Sequence, residues 1–373
     1  GWLELQVLDT AAKPLAKSMP GYPFINRPLP AKSDWALQTK LRLVSRQDEV
    51  IEVRQDILQP VTFDDDVGAM ITVVDAGGLG YAATSDLTAS GLRHALERAT
   101  RWARQTADPA VVDHGKVGHP APVGDYSCAV ERPWSATPLV ERIGLARTEC
   151  GRLRTDDRIV DWSASLWWIA EQQLYLTADG GRTMQRFEYL IPGLSVTANE
   201  GSETINRRFG GFDLGRQGGL EILNDVHFFD QAPAIADEVL QLLVAPNCPT
   251  GTMDLLLDPD QMYLQIHESI GHPLELDRIL GDERNYAGTS FVTLDMIGSY
   301  RYGSDLLNIT FDPTVADEFA TYRWDDDGVV ADKQYIIRDG ILERGLGGIT
   351  SQMRAHLPGV SNSRACSWNR PPI

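Results

Sequence analysis

Between Ile159 and Glu200 the sequence reads as strand after strand. Ile159 to Ile169, Gln173 to Ala178, Thr183 to Leu190 and Ser195 to Glu200 carry strand-forming residues, with an Asp179-Gly180 turn among them. Neighbouring strands joined by short turns pair antiparallel, so this stretch predicts an antiparallel sheet around which the rest of the chain must be fitted.

The N-terminal side predicts a second sheet-plus-helix region. Residues 1 to about 33 are rich in Pro and Gly and read as an extended arm; strands then run from Leu41 to Ala83. Ile71-Thr72-Val73-Val74 and Leu79-Gly80-Tyr81-Ala82 flank Asp75-Ala76-Gly77-Gly78, a loop suited to a hairpin. Gly77-Gly78-Leu79-Gly80 lacks G-x-G-x-x-G spacing and opens no helix, which argues against dinucleotide binding. Leu92, Ala95, Leu96, Ala99, Trp102 and Ala103 predict one buried helical stripe, with His94 just off it as a surface or packing residue rather than a ligand. Thr137-Pro138 predicts a helix start, with Thr as cap and Val140, Ile143, Ala146 and Cys150 as the apolar face. A further helix is expected over Ala234 to Val244, and Pro246, Pro249 and Gly251 mark a boundary.

Beyond that boundary, Met253 to Leu257 predicts a short apolar strand. Asp258-Pro259-Asp260-Gln261 predicts a helix entry, with an Asp cap, Pro at the first position and Gln for a capping box. Met262, Ile266 and Ile270 form the apolar side of that helix, which must end near Gly271-His272-Pro273. Strands return at Leu306 to Phe311, Tyr335 to Arg338 and Ile341 to Glu343, with turns at Asp327-Gly328 and Asp339-Gly340. The expected class is α+β: N-terminal sheet-plus-helix regions, then a β-rich C-terminal domain. The expected divisions are 1–110, 111–248 and 249–373 of a 373-residue chain, which is too long for a single compact core.

Composition narrows the function classes. The net charge of −18 repels phosphate backbones, and no Lys/Arg cluster offsets it, so nucleic acid is an unfavourable partner. No apolar run approaches the roughly 20 residues of a membrane span, and the N-terminus lacks a secretory pattern. Four cysteines without a CxxC pair fit a reducing compartment, and the expected location is cytoplasmic.

The chemistry concentrates in His267-Glu268-Ser269-Ile270-Gly271-His272, an H-E-x-x-x-H string at a helix end. Zinc takes neutral imidazole nitrogens, and a hydrolytic site adds a carboxylate to draw a proton from water. On an ideal α-helix, residues five apart diverge by about 140°, which opposes a shared metal. Gly271 permits a bend, and Pro273 supplies no N–H and disfavours helical geometry at His272, so the last turn should break or widen. His272 then swings toward His267, with Glu268 placed as the base. Glu275 and Asp277 follow closely, either orienting a ligating histidine or forming a solvated acidic turn. Asp325-Asp326-Asp327-Gly328 lacks the ligand spacing of an EF-hand and reads as a polar hairpin turn. His114 and His119 lie in a proline-rich loop with no helix to align them on a metal.

His267 through Asp277 (HESIGHPLELD) resembles the H-E-x-x-G-H-x-L-E-x-D signature of TldD-type subunits in the TldD/PmbA family of metallopeptidases. The hairpin and helix from Val67 to Ala103 and the Gly345 to Ala355 stretch fall in the family's order. The resemblance implies a zinc peptidase with His267 and His272 as ligands and Glu268 as catalytic base. It implies short or unstructured peptides as substrates, and a homodimer or a heterodimer with a PmbA-type subunit. It also implies a third ligand, a C-terminal cysteine in a Gly-rich motif that is absent from this chain; the expectation is a chain cut short of that motif. Cys366 stands in a different context, and Pro273 and Leu276 replace glycines common in the family. Two rival readings stand beside this one: a catalytically silent scaffold or regulatory subunit, and a zinc hydrolase of non-peptide amides.

Overall fold

A computed structural model describes residues 38–360 and 362–372. The proposed N-terminal arm lies outside the described residues. The strands are β1 (Gln38–Arg54), β2 (Ile57–Leu58), β3 (Thr62–Asp75), β4 (Gly78–Thr84), β5 (Val123–Ser127), β6 (Ile159–Thr177), β7 (Arg182–Glu200), β8 (Glu203–Gly210), β9 (Arg216–Gln217), β10 (Ile309–Phe311), β11 (Gln334–Arg338) and β12 (Ile341–Leu342). The α-helices are α1 (Ala89–Thr106), α2 (Leu139–Leu153), α3 (Ile222–Asp225), α4 (Phe228–Val244), α5 (Pro259–Ile266), α6 (Leu276–Leu280) and α7 (Ile349–Ala355).

The expected antiparallel pairing is present within a larger sheet, in which β5 pairs parallel with β7 and the other pairs are antiparallel. Nine strands form one sheet along the path β4-β3-β1-β6-β7-β5, with β2 on β1 and β8 and β9 on β7. The four strand segments expected between Ile159 and Glu200 fuse into two continuous 19-residue strands. Pro192 and Gly193 do not interrupt β7, where they pair with Leu166 and Ser165 of β6. β1 pairs with β6 from Lys40 to Arg54 and so joins the N-terminal strands to the middle ones.

Alternation along β1 divides the two faces of the sheet. Leu41 and Leu43 join Ile71, Val73, Leu92, Ala95, Ala99 and Ala103 in the core beneath α1. Ile51 and Val53 join Leu166, Leu190, Val196, Ala146, Cys150, Ile235 and Val239 beneath α2 and α4. The opposite face, at Lys40 and Arg42, meets the C-terminal region through ion pairs with Asp327 and Asp326. On that same side Ile169, Phe187, Tyr189 and Ile191 pack with Tyr322 and Ala331.

Local expectations fare unevenly. The β3–β4 hairpin turns at Ala76 (φ 52°) and Gly77 (φ 84°), the positive pair that a two-residue turn of this kind requires. Gly80 has a second reason: a Cβ there would stand 2.1 Å from the Ala99 carbonyl oxygen, so α1 lies directly on the strand. Trp102, expected in the buried stripe, is 55% exposed. At ten positions after Leu92 it stands about 80° round the helix, at the margin of the face. His94 is exposed, as expected. In α2, Pro138 rather than Thr137 holds the cap position. Val140, expected to be buried, is 74% exposed, while Arg142 and Glu149 are buried. Arg142 reaches Glu49 at 2.7 Å and covers the ring of Trp134. α4 begins six residues before the expected Ala234.

In the C-terminal region, sheet structure is limited to β10-β11-β12, with the expected turn at Asp339 (φ 48°) and Gly340 (φ 76°). Met253 to Leu257 forms no strand; it carries no ladder partner among the described residues, and Leu256 is 95% exposed. Ile270, Leu274, Val292, Ile336, Ile337, Leu342 and Val360 build a separate core that seats the helix end bearing the histidines.

Candidate metal centre

α5 starts where the sequence places it, with Asp258 extended at the cap position and Pro259 at the first turn. The Asp258 side chain makes no capping bond; instead its carbonyl accepts from Gln261 and Met262 N–H at 3.0 Å. Ile270 is buried, and Met262 and Ile266 are half-buried on the same side. His267 and Glu268 face outward, with side chains 55% and 62% exposed.

The five-residue spacing is resolved by a single π-helical turn over His267–Gly271. The His272 N–H donates to the His267 carbonyl, an i→i+5 bond that brings the two histidines to the same side of the helix. Their rings come to 4.4 Å between centroids at 85°. The expected widening is therefore observed, but by a different route. His272 stays right-handed helical (φ −57°, ψ −43°), and Gly271 has φ −55°, needing none of glycine's special freedom. Pro273 acts through its missing N–H: in a continuing α-helix that group would bond the Ser269 carbonyl. The Tyr302 hydroxyl donates to the Ser269 carbonyl instead.

The donor atoms of His267, Glu268 and His272 all lie within 4.8 Å of one another. Two donors on one tetrahedral zinc stand about 3.4 Å apart, given bonds of roughly 2.0–2.1 Å. Two imidazoles and a carboxylate at this separation suit zinc after small side-chain adjustments. The surroundings select one nitrogen of His272: its Nδ1 lies 2.9 Å from Glu275 Oε1. A carboxylate accepts only, so Nδ1 carries the proton and Nε2 keeps its lone pair for a cation.

Of the two following acids, Glu275 therefore meets the site. Asp277 turns away: its carboxylate accepts from the Arg278 backbone N–H at 3.1 Å, and burial raises its pKa. Cys366 is exposed and stands outside the His267–Glu268–His272 group. Glu275 has both oxygens engaged, the second by Arg278 Nε at 3.0 Å.

The Asp325-Asp326-Asp327-Gly328 turn is a tight turn with Trp324 bridged to Val330, yet Asp325 and Asp326 are buried rather than solvated. Asp326 takes Arg42, Gln173 and the Ala365 N–H. Asp325 accepts from the Asp327 and Val329 N–H groups, and burial still pushes its pKa up to about 7. Asp327 pairs with Lys40 at 3.0 Å, and Lys40 also donates to His119 Nδ1. Burial, with the Lys40 charge, lowers the His119 pKa to about 4. The motif reading missed this cluster, because its partners are some 80 to 290 positions apart in sequence. It missed Tyr302 and Arg278 as well; only the i, i+3 spacing of Glu275 and Arg278 is visible locally.

Comparison with known proteins bears on the family and the fold. The family model of the PmbA/TldA metallopeptidase C-terminal domain matches residues 250–373, and that of domain 1 matches residues 40–103. A metalloprotease of Methanocaldococcus jannaschii is 30% identical over 58% of this chain and 45% of its own length. A metalloprotease of Methanothermobacter thermautotrophicus is 25% identical over 89% of this chain and 69% of its own. A TldD homologue of Haemophilus influenzae is 24% identical over 85% and 64%. The chain thus spans about half to two-thirds of the length of these relatives. Among solved structures, a Bacteroides thetaiotaomicron protein described as a candidate modulator of DNA gyrase superposes with TM-score 0.70 at 15% identity, over 88% of this chain and 72% of that one. TldE of Thermococcus kodakarensis gives 0.65 at 14%, over 92% and 73%. These two establish a shared fold. With the H-E-x-x-x-H turn inside the matched C-terminal domain, the chain belongs to the PmbA/TldD family of metallopeptidases.

Proposed function

We propose that this chain is the catalytic type of subunit and hydrolyses peptide bonds with zinc held by His267 and His272. The observation that carries the reading is the π-helical turn, which converts an unfavourable spacing into one convergent donor group. Zinc, when bound, supplies Lewis acidity that lowers the pKa of water and polarises a carbonyl. Glu268, adjacent to His267 and open to solvent, accepts a proton from the attacking water and returns it to the leaving amine. Glu275 holds His272 in the metal-binding tautomer.

The solvent-facing site suits short or unstructured peptides, which can lie across it without unfolding a domain. A PmbA-type subunit or a second copy is the partner the family kinship suggests, and a cytoplasmic setting accords with four free cysteines. Glu268→Gln should keep zinc and lose about 10²- to 10⁴-fold in peptide turnover. Retained turnover would remove Glu268 from the mechanism.

One observation favours the scaffold reading. Catalytic zinc sites take three protein ligands. With Glu268 reserved as base, the described cluster offers two, because Glu275 is already committed and Cys366 stands apart. Zinc uptake without cleavage of any member of a peptide panel, or of small amides, would support the silent subunit; cleavage of amides alone would support the non-peptide hydrolase.

A further inference from the structure

We infer that Arg278 is a positioning residue of the metal centre, acting on His272 through Glu275; this rests on the zinc reading above. His272, Glu275 and Arg278 are spaced three residues apart and form one bonded line. Glu275 Oε1 faces His272 Nδ1 at 2.9 Å, and Oε2 accepts from Arg278 Nε at 3.0 Å. The far end of the line is anchored. Arg278 Nη1 donates to the Ala287 carbonyl at 2.8 Å, and Nη2 lies 2.9 Å from Glu283 Oε2. The main chain beneath is tied down as well: Leu276 N–H donates to the Leu346 carbonyl at 2.7 Å and Leu346 N–H to that of Leu274 at 2.8 Å. The Arg278 side chain is only 12% exposed, whereas that of His272 is 38% exposed. Rigidity therefore rises from the ligand inward.

The charge arrangement gives Arg278 a second task. Glu275, Asp277, Asp282 and Glu283 crowd this corner, and Arg278 pairs directly with two of them. Without it, Glu275 is left beside Asp277 and Glu283 with no bonded cation, and its rotamer is free to leave His272. The imidazole then loses the acceptor that fixes its proton on Nδ1, and Nε2 presents its lone pair only part of the time. An ammonium at this position keeps the charge but not the planar fork that reaches Glu275, Ala287 and Glu283 together. Sequence spacing points to the Glu275–Arg278 pair alone; the link to a histidine ligand requires the turn at His272.

The test titrates Co²⁺ alone into the full chain and into Arg278→Met, Arg278→Lys, Glu275→Ala and the Glu275→Ala/Arg278→Met double variant, following the cobalt absorption bands. A long-range ¹H–¹⁵N spectrum of the metal-free proteins reports the His272 tautomer. Expected are a roughly 10- to 100-fold weaker affinity for Arg278→Met, partial recovery in Arg278→Lys, and loss of the Nδ1–H signature. In the Glu275→Ala background, Arg278→Met should add nothing. Equal affinity and tautomer in Arg278→Met would overturn the relay alone. Additive losses in the double variant would also overturn it, by making Arg278 a stabiliser of the fold. Failure of the unaltered chain to bind Co²⁺ would overturn the metal-centre reading and the relay with it.

Discussion

Among the described residues, imidazole and carboxylate come together at His267–Glu268–His272 and at His119–Lys40–Asp327, in opposite surroundings. The first group stands on a helix end with His267 and Glu268 more than half exposed. The second is closed between the sheet and the C-terminal region, with the Lys40 side chain 10% exposed and that of His119 13%. In the buried cluster the charged groups are paired with one another: Lys40 with His119 and Asp327, Asp327 with Ser363, Asp326 with Arg42 and Gln173. At the helix end His272 is bonded, among the described residues, on one nitrogen only, which leaves a lone pair for a cation. Similar side chains thus make a lock where they pair with each other, and a candidate metal centre where one is left a bond short of saturation.

The widest separation should appear in stability. Asp326→Ala leaves the buried Arg42 guanidinium without its carboxylate, and should cost about 3–5 kcal/mol in urea unfolding. A cost under about 1 kcal/mol would show that water reaches this junction and would dissolve the contrast.

Acid response sharpens the comparison from a second side. His119 has a folded pKa near 4 against an ordinary 6.5. Below pH 6.5 the unfolded chain takes a proton that the folded chain refuses, so this group withdraws stability until about pH 4. Asp325 works the other way: its folded pKa of about 7 exceeds 3.8, so acidification through that window favours the folded state. His119→Gln should therefore lose less stability than the parent between pH 6.5 and 4, and Asp325→Asn should lack the gain in stability that the parent shows as pH falls from 7 toward 3.8. Identical acid-unfolding curves would place both groups in water.

The smallest effect belongs to the exposed centre. Glu268→Gln should change unfolding free energy by no more than about 0.5 kcal/mol, since its side chain is 62% exposed. A large loss would mean that Glu268 helps to hold the turn.

What was legible in the sequence follows the same division. The β3–β4 hairpin, the α5 entry and the Asp339-Gly340 turn are set by neighbours in sequence, and they appear at the expected positions. The sequence also pointed to an adjustment next to His272, because Pro273 supplies no N–H, and the three candidate side chains do lie together. The form of that adjustment, an i→i+5 bond with Tyr302 on the released carbonyl, depends on a residue 33 positions away. The continuity of β6 and β7 was hidden because pairing with β6 carries both Pro192 and Gly193 through the strand, and β8 pairs with Gly193 from the other side. Val140 and Trp102 misled because periodicity marks a stripe but not which margin the sheet covers. The Asp325–Asp327 turn read as solvated because its cations, Lys40 and Arg42, lie on β1, at the other end of the described chain.

The central claim is that the π-helical turn turns His267 and His272 toward one cation. The most direct test is zinc bound per chain after equilibration with excess zinc and removal of the free ion, measured by elemental analysis for the unaltered chain and for His267→Ala/His272→Ala. One equivalent in the unaltered chain and none in the double variant is the predicted result. Equal zinc in both, or none in either, would contradict it.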